Sequence, residues 1–146
     1  MLMQDAPSPH QLLAAVARFL REEAGPALAA HGDGALAYHA KVAANMLDTV
    51  AREITLAPAA HRAELARLHA LLGPEPDATA APVGDDLHTL NQRLADAIAQ
   101  GRIDASHPGL AAHLRHTTLA KLAVDQPGYN TYRRWLADPP TSPKTD

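Results

Sequence analysis

Apolar side chains recur along most of the chain at the spacing of an α-helix. The longest such stretch is residues 35–56, which contains neither Gly nor Pro. Its apolar side chains fall on one broad face, and His39 lies in the middle of that face. The face consists of Leu36, Val42, Ala43, Met46, Leu47, Val50 and Ile54. This pattern predicts a long amphipathic helix at the centre of an all-α domain, with His39 buried.

The same period, together with capping residues, predicts four further main helices. Ser8 followed by Pro9 begins the first, and Gly25-Pro26 ends or kinks it. Pro58 is expected to end the central helix and begin the next, because Pro has no N–H for a helix interior. The predicted spans are 8–24, 35–56, 58–72, 85 or 86 to 100, and 106 or 107 to 124, with a short helix or ordered arm at 129–136. The predicted fold is an up-and-down-like helical bundle of five main helices.

The domain organisation follows from length and from the position of prolines. A chain of 146 residues suits a single core, and we expect one helical-bundle domain over residues 8–137. Residues 73–84 contain three prolines and two glycines and predict a mobile surface loop. Residues 1–7 and 138–146 are predicted to be flexible termini.

Charge and composition restrict the partners and the compartment. Thirteen basic and sixteen acidic side chains give a net charge of −3 with His neutral, so no basic field is available for nucleic acid. The absence of Cys excludes disulfides and thiolate catalysis. No signal peptide and no apolar run long enough for a membrane span are found. We therefore expect a cytoplasmic protein with no nucleic-acid partner and no membrane partner.

Three segments of the sequence together resemble a known family. LLAAVARFLREEAGPAL, YHAKVAANMLDTVAREI and LRHTTLAKLAVDQPGYNTYRR are similar to parts of small all-helical bacterial proteins that are classed as a domain of unknown function. Members of that family are often encoded beside acyl-CoA dehydrogenases and aminoglycoside-phosphotransferase-like kinases. The resemblance implies an accessory role in acyl-CoA or small-molecule catabolism, with either enzyme as a candidate protein partner. It implies no catalytic residue.

Motifs for common chemistry are missing from the sequence. Nine histidines are present, but no Glu-x-x-His occurs, and His113 and His116 are predicted to project towards solvent. Phosphate-binding glycine loops, G-x-S-x-G and H-E-x-x-H are also absent. We expect no metal and no cofactor, and although enzymatic activity stays open, a non-catalytic protein is favoured.

Two places remain as candidate ligand-binding sites. A buried His39 would need a hydrogen-bond partner, with Glu23 as the first choice and Asp125 or a hydroxyl of Tyr129 or Tyr132 as the second. A backbone carbonyl or water could also serve. The second place is the segment 124–134, whose polar and aromatic groups could hold an anionic ligand or a partner protein. Its tyrosines could instead simply anchor the C-terminal arm, which is the interpretation we favour. The candidate residues are His39, Glu23, Asp125, Tyr129, Tyr132 and Arg133.

The favoured function is a non-catalytic accessory or protein-interaction module. The alternative is a protein that binds a small anionic or acyl-CoA-like molecule, or an undescribed enzyme, with a pocket near His39.

Overall fold

The computed structural model describes residues 6–73 and 86–138. Within these residues the chain is helical and contains no strand, and its helices pack against each other, which confirms the predicted all-α bundle class. The elements are α1 Pro9–Phe19, a π-helical turn Leu20–Ala24, α2 Gly25–Ala30, α3 Gly34–Leu72, α4 Leu87–Ala99, α5 Leu110–Asp125 and α6 Asn130–Ala137. The last of these, α6, is the predicted short C-terminal helix.

Internal contacts form two compact units, an N-terminal unit Met1–Ala57 and a C-terminal unit Pro58–Asp146. A single domain over 8–137 stays a prediction. Apart from residues 6–7, 73 and 138, the predicted loop and flexible termini lie outside the described residues. None of the helices in the described ranges is both long enough and apolar enough to span a membrane.

The first helix begins at the predicted capping box. The Ser8 side chain accepts a hydrogen bond from the Gln11 N–H at 3.3 Å, and the Gln11 side chain accepts one from the Ser8 N–H at 2.7 Å. Pro9 lies in the first turn, where its missing N–H costs no helical hydrogen bond. The start of α1 is therefore fixed locally.

Gly25-Pro26 does not end the helical stretch that begins with α1. A π-helical turn leads there directly into α2. The Gly25 N–H donates to the Leu20 carbonyl, five residues back. This wider turn accommodates Pro26, whose ring would press on the preceding turn of a regular α-helix. A Cβ at Gly25 would lie 3.0 Å from the Leu20 oxygen, so glycine suits this turn.

The predicted break at Pro58 is wrong, since α3 continues unbroken from Gly34 to Leu72. Pro58 lacks the N–H that would bond to the Ile54 carbonyl, but Ile54 is half-exposed and water can reach that turn. Alanines at positions 57, 59 and 60 have the highest helix propensity. The surrounding alanines therefore keep the chain helical on both sides of Pro58.

In the N-terminal unit, the π-helical turn and α2 run antiparallel to α3. A Cβ at Gly25 would lie 4.0 Å from the Ala40 Cβ, whereas Arg21 pairs with Asp48 at 2.6 Å further along α3. Gly32, with a φ of 84°, and Asp33, which accepts a hydrogen bond from the Leu36 N–H at 2.9 Å, reverse the chain between them. The result is a helical hairpin, whose first arm consists of α1, the π-helical turn and α2 and whose second arm is α3.

Small side chains fill the interior of this hairpin. Four alanines are at most 8% exposed, and we call them the alanine seam: Ala17, Ala40, Ala44 and Ala51. The face predicted to point inward is therefore wrong for most of its large members, because Leu36, Met46, Val50 and Ile54 are 46–65% exposed. Val42 and Leu47 of the same face are half-buried. The buried alanines at 40, 44 and 51 each follow directly after a residue of the predicted face or after His39. The packed face is thus rotated by one residue step, about 100°, from the predicted one.

The C-terminal unit has a different core, built from large aliphatic side chains. Leu68 of α3 and Leu90 of α4 are almost fully buried at its centre. The remaining buried members are Leu71, Leu94, Ala97, Ile103 and Leu110. A turn in which the Ser106 hydroxyl and N–H both bond to Asp104 precedes α5, so this helix begins later than predicted, at Leu110.

Replacing Pro58 by Ala should stabilise the protein, because the new N–H can complete the hydrogen bond to the Ile54 carbonyl. The expected gain in the free energy of unfolding is about 1–3 kcal/mol, measured by urea denaturation followed by circular dichroism. Pro9→Ala is the matched control, since Pro9 lies where no helical hydrogen bond is lost, and it should change stability by less than about 0.5 kcal/mol. A destabilised Pro58→Ala protein would contradict this explanation.

Candidate functional site

The predicted site around His39 is not formed. His39 is exposed on α3, where its ring meets the Tyr38 ring edge-on with centroids 6.1 Å apart. Glu23 is exposed on the π-helical turn. Burial of His39 was a wrong prediction because the neighbouring Ala40, not His39, lies in the alanine seam.

The C-terminal candidates are separated by the geometry of α6. Tyr132 is half-buried and faces a groove between α5 and α6. Arg133 and Arg134 line a separate open depression on α6. Asp125, the last residue of α5, and Tyr129, just before α6, are exposed. Only Tyr132 of the predicted set therefore belongs to the groove.

The groove has a volume of about 240 Å³ and is lined by one face of each helix. From α5 it takes Arg115, Thr118, Leu119 and Leu122. From α6 it takes Thr131, Tyr132 and Trp135. The Arg115 guanidinium lies over the Trp135 ring, 5.7 Å from the ring centroid, which is within the range of a cation–π interaction. An apolar floor with one cation at its rim can hold an amphiphilic molecule.

Sequence reasoning overlooked Arg115 as a site residue, and it noted Trp135 beside the C-terminal segment without including it among the candidate residues. Arg115 lies three and four residues before Thr118 and Leu119, so the four lining positions of α5 share one helical face. That spacing was available in the sequence. The partner face of α6 could not be inferred, because its orientation depends on the turn at residues 126–129.

The C-terminal unit also buries polar side-chain atoms in its interior. His113 of α5 is only 2% exposed, which corrects the prediction that it faces solvent. Its Nδ1, the Nε of Arg67 and the hydroxyl of Thr117 are buried without a hydrogen-bond partner among the described residues. Nearby, the Asn91 amide donates to the Glu64 carboxylate at 2.9 Å and to the Leu87 carbonyl at 2.8 Å. We call His113, Arg67, Thr117, Glu64 and Asn91 the polar cluster.

His113 was misassigned because its nearest apolar neighbour in sequence, Leu114, points elsewhere and is half-exposed. The informative residues were Leu110 and Val124, which are both buried and lie on the same helical face as His113. His113 shares the face of these two residues, and it is buried with them.

The electrostatics of the polar cluster favour a neutral His113. Burial lowers the pKa of the imidazole, the Arg67 guanidinium and His116 lower it further, and the Glu64 carboxylate opposes them. Among the described residues, no group of three or more His, Cys, Asp or Glu side chains is arranged to hold a metal ion. Buried polar atoms without partners cost free energy of folding, so the stability of the C-terminal unit depends on the charge state of His113.

The lowered pKa of His113 predicts acid sensitivity. In the unfolded chain the imidazole takes up its proton near pH 6.5, whereas in the folded protein it does so only at lower pH. Stability contributed by neutral His113 is therefore complete above about pH 6.5 and is lost as the pH falls towards the folded-state pKa. In His113→Gln, the decrease in melting temperature between pH 7.5 and pH 5 should be smaller than in the wild type.

His69→Gln is the control for this experiment, because His69 is exposed on α3 and is not among the groups that shift the pKa of His113. It should keep nearly the full pH dependence. Equal pH dependence in the wild type and His113→Gln would show that His113 is not the group responsible.

Comparison with known proteins assigns the chain to a family. No curated protein and no solved structure matches it significantly. A family model described as a domain of unknown function, DUF6285, matches residues 26–129, which include α3, α4 and α5 in full. Since this match covers well over half of the sequence, the chain belongs to the DUF6285 family of domains of unknown function.

Proposed function

We propose that this protein is a non-catalytic accessory module that binds a partner protein through the helical hairpin of its N-terminal unit. The observation that supports the proposal is the exposure of large apolar side chains on α1 and α3. On α1 these are Leu12, Val16 and Phe19, and on α3 they are Leu36, Met46, Val50 and Ile54. Each is 44–65% exposed.

The exposed residues form stripes rather than isolated positions. Leu12, Val16 and Phe19 are spaced by four and three residues, so they lie along one face of α1. Met46, Val50 and Ile54 are spaced by four residues along α3. Contiguous apolar surface of this kind is typical of protein–protein contact sites, whereas scattered exposed apolar residues are ordinary.

Each of these side chains can contribute to the free energy of binding. Complete burial of one such side chain is worth about 1.5–3 kcal/mol, so covering the exposed half contributes on the order of 1 kcal/mol per residue. Aromatic and methionine side chains are also enriched in interfaces, and Phe19 and Met46 are among the exposed residues.

The family resemblance guides the choice of partner. In our proposal the protein works in a bacterial cytoplasm beside an acyl-CoA dehydrogenase or an aminoglycoside-phosphotransferase-like kinase, and it assists acyl-CoA or small-molecule catabolism by binding one of them. The alternative, a ligand pocket or active site beside His39, has less support because His39 and Glu23 are both exposed.

Binding to a purified dehydrogenase and a purified kinase encoded beside the gene, measured by calorimetry, tests the proposal. Val16→Glu and Val50→Glu place a charge within the two stripes and should each weaken binding at least tenfold. Both positions are half-exposed, so folding should be preserved, with stability changing by less than about 1 kcal/mol.

Ala35→Glu is the matched control, because it introduces the same charge at an exposed position near the start of α3 and should leave binding unchanged. Absence of binding to either enzyme would reject the proposed partners. A concentration-dependent dimer that Val50→Glu dissociates, with no binding to either enzyme, would mean that the hairpin binds a second copy of the chain instead.

A further inference from the structure

The groove between α5 and α6 combines an apolar floor with a cation that lacks an anionic partner. Leu119 and Leu122 supply aliphatic surface, and the half-buried Trp135 ring supplies aromatic surface. Arg115 is exposed at the rim, and no carboxylate pairs with it in the part of the chain that the structure describes. The guanidinium makes a cation–π contact with the Trp135 ring. The guanidinium therefore keeps its hydrogen-bond donors free for a ligand.

We propose that this groove binds amphiphilic monocarboxylates, with the carboxylate at Arg115 and an aliphatic chain along Leu119 and Leu122. The inference concerns the C-terminal unit and does not depend on protein binding by the helical hairpin. Guanidinium is suited to this role because its planar fork matches the two oxygens of a carboxylate.

Charge complementarity supports an anion over a neutral or cationic ligand. None of the described residues that line the groove is acidic. A second depression shares Thr131 and Trp135 with the groove, and it is lined by one cation, Arg134, and one anion, Asp138. Arg115 is therefore the charge that an anion meets in the groove itself.

The dimensions of the groove indicate the length of the aliphatic ligand that fits it. Arg115 and Leu122 are seven residues apart on α5, which corresponds to about 10 Å along the helix axis. The volume of about 240 Å³ equals that of roughly eight water molecules. One methylene group occupies about as much space as one water molecule, so a carboxylate of about six to eight carbons fits.

Hydroxyl groups at the groove add donors beside the aliphatic surface. Thr131 and Tyr132 project from α6 into the lining, whereas the Thr118 hydroxyl already donates to the Leu114 carbonyl at 2.8 Å. Tyr132 was a candidate ligand contact from sequence, and in the groove it would lie along the chain of the bound anion. Its ring provides further apolar contact there.

Trp135 is the single tryptophan of the protein, so its fluorescence reports directly on the groove. Octanoate titrated into the full-length chain should change this fluorescence saturably, and calorimetry should give the same dissociation constant. Octanoate should bind at least tenfold more tightly than butyrate, which fills less of the groove, and at least tenfold more tightly than octanol, which lacks the charge.

Substitutions at Arg115 distinguish binding that depends on the carboxylate charge from binding that depends on apolar contact alone. Arg115→Gln should weaken octanoate binding at least tenfold and abolish the preference for octanoate over octanol. Arg115→Lys keeps the charge but loses the planar fork, so it should bind octanoate more weakly than the wild type and more tightly than Arg115→Gln. Arg62→Gln, the same change at an exposed position of α3, is the matched control and should leave the affinity unchanged.

The proposal is overturned if octanoate gives no saturable signal, if octanol binds as tightly as octanoate, or if Arg115→Gln retains wild-type affinity. Circular dichroism of Arg115→Gln checks that α6 stays helical. If that variant unfolds, the octanoate–octanol comparison in the wild type decides the question by itself.

Discussion

Close packing through alanine is the constraint on which the N-terminal unit depends. Where two helices approach through small side chains, their backbones can come closer than the usual interaxial distance of about 8–10 Å, and a larger residue at the contact would push them apart. The absence of a side chain at Gly25 beside Ala40, and the near-complete burial of Ala17 and Ala44, show this arrangement. The large apolar residues of the same helices must then point away from the seam. Their exposure, and that of His39, follows from which face carries the alanines.

The two units therefore offer different kinds of recognition surface. The N-terminal unit presents the apolar stripes of α1 and α3, a geometry suited to the surface of another protein. The C-terminal unit has a leucine core, encloses unpartnered polar atoms at His113 and Arg67, and carries a groove with a cation at its rim. Such a groove is suited to a small amphiphilic molecule. In our proposals, protein binding and ligand binding therefore occupy separate parts of the chain.

The sequence predicted most helices because their start and end signals are local. The Ser8 capping box, the Asp86 cap of α4 and the short final helix all agree with the structure. Pro58 was misread because the propensity of the surrounding alanines offset one lost hydrogen bond. The burial of His39 was also a wrong prediction, since assigning the buried face to the largest side chains fails where alanines pack. The exposure of His113 was wrong because α5 buries the face that carries Leu110 and Val124. The groove depends on how α6 folds back on α5, which no local pattern encodes.

The most direct test of the alanine seam compares two substitutions on α3 by urea denaturation. Ala44 is fully buried and Met46, two residues away, is 65% exposed. If the seam determines the packing, Ala44→Leu should lower the free energy of unfolding by about 1–3 kcal/mol through overpacking, while Met46→Gln should change it by less than about 0.5 kcal/mol. The opposite result, a tolerated Ala44→Leu and a strongly destabilised Met46→Gln, would mean that the large residues form the interior and that the seam is misplaced.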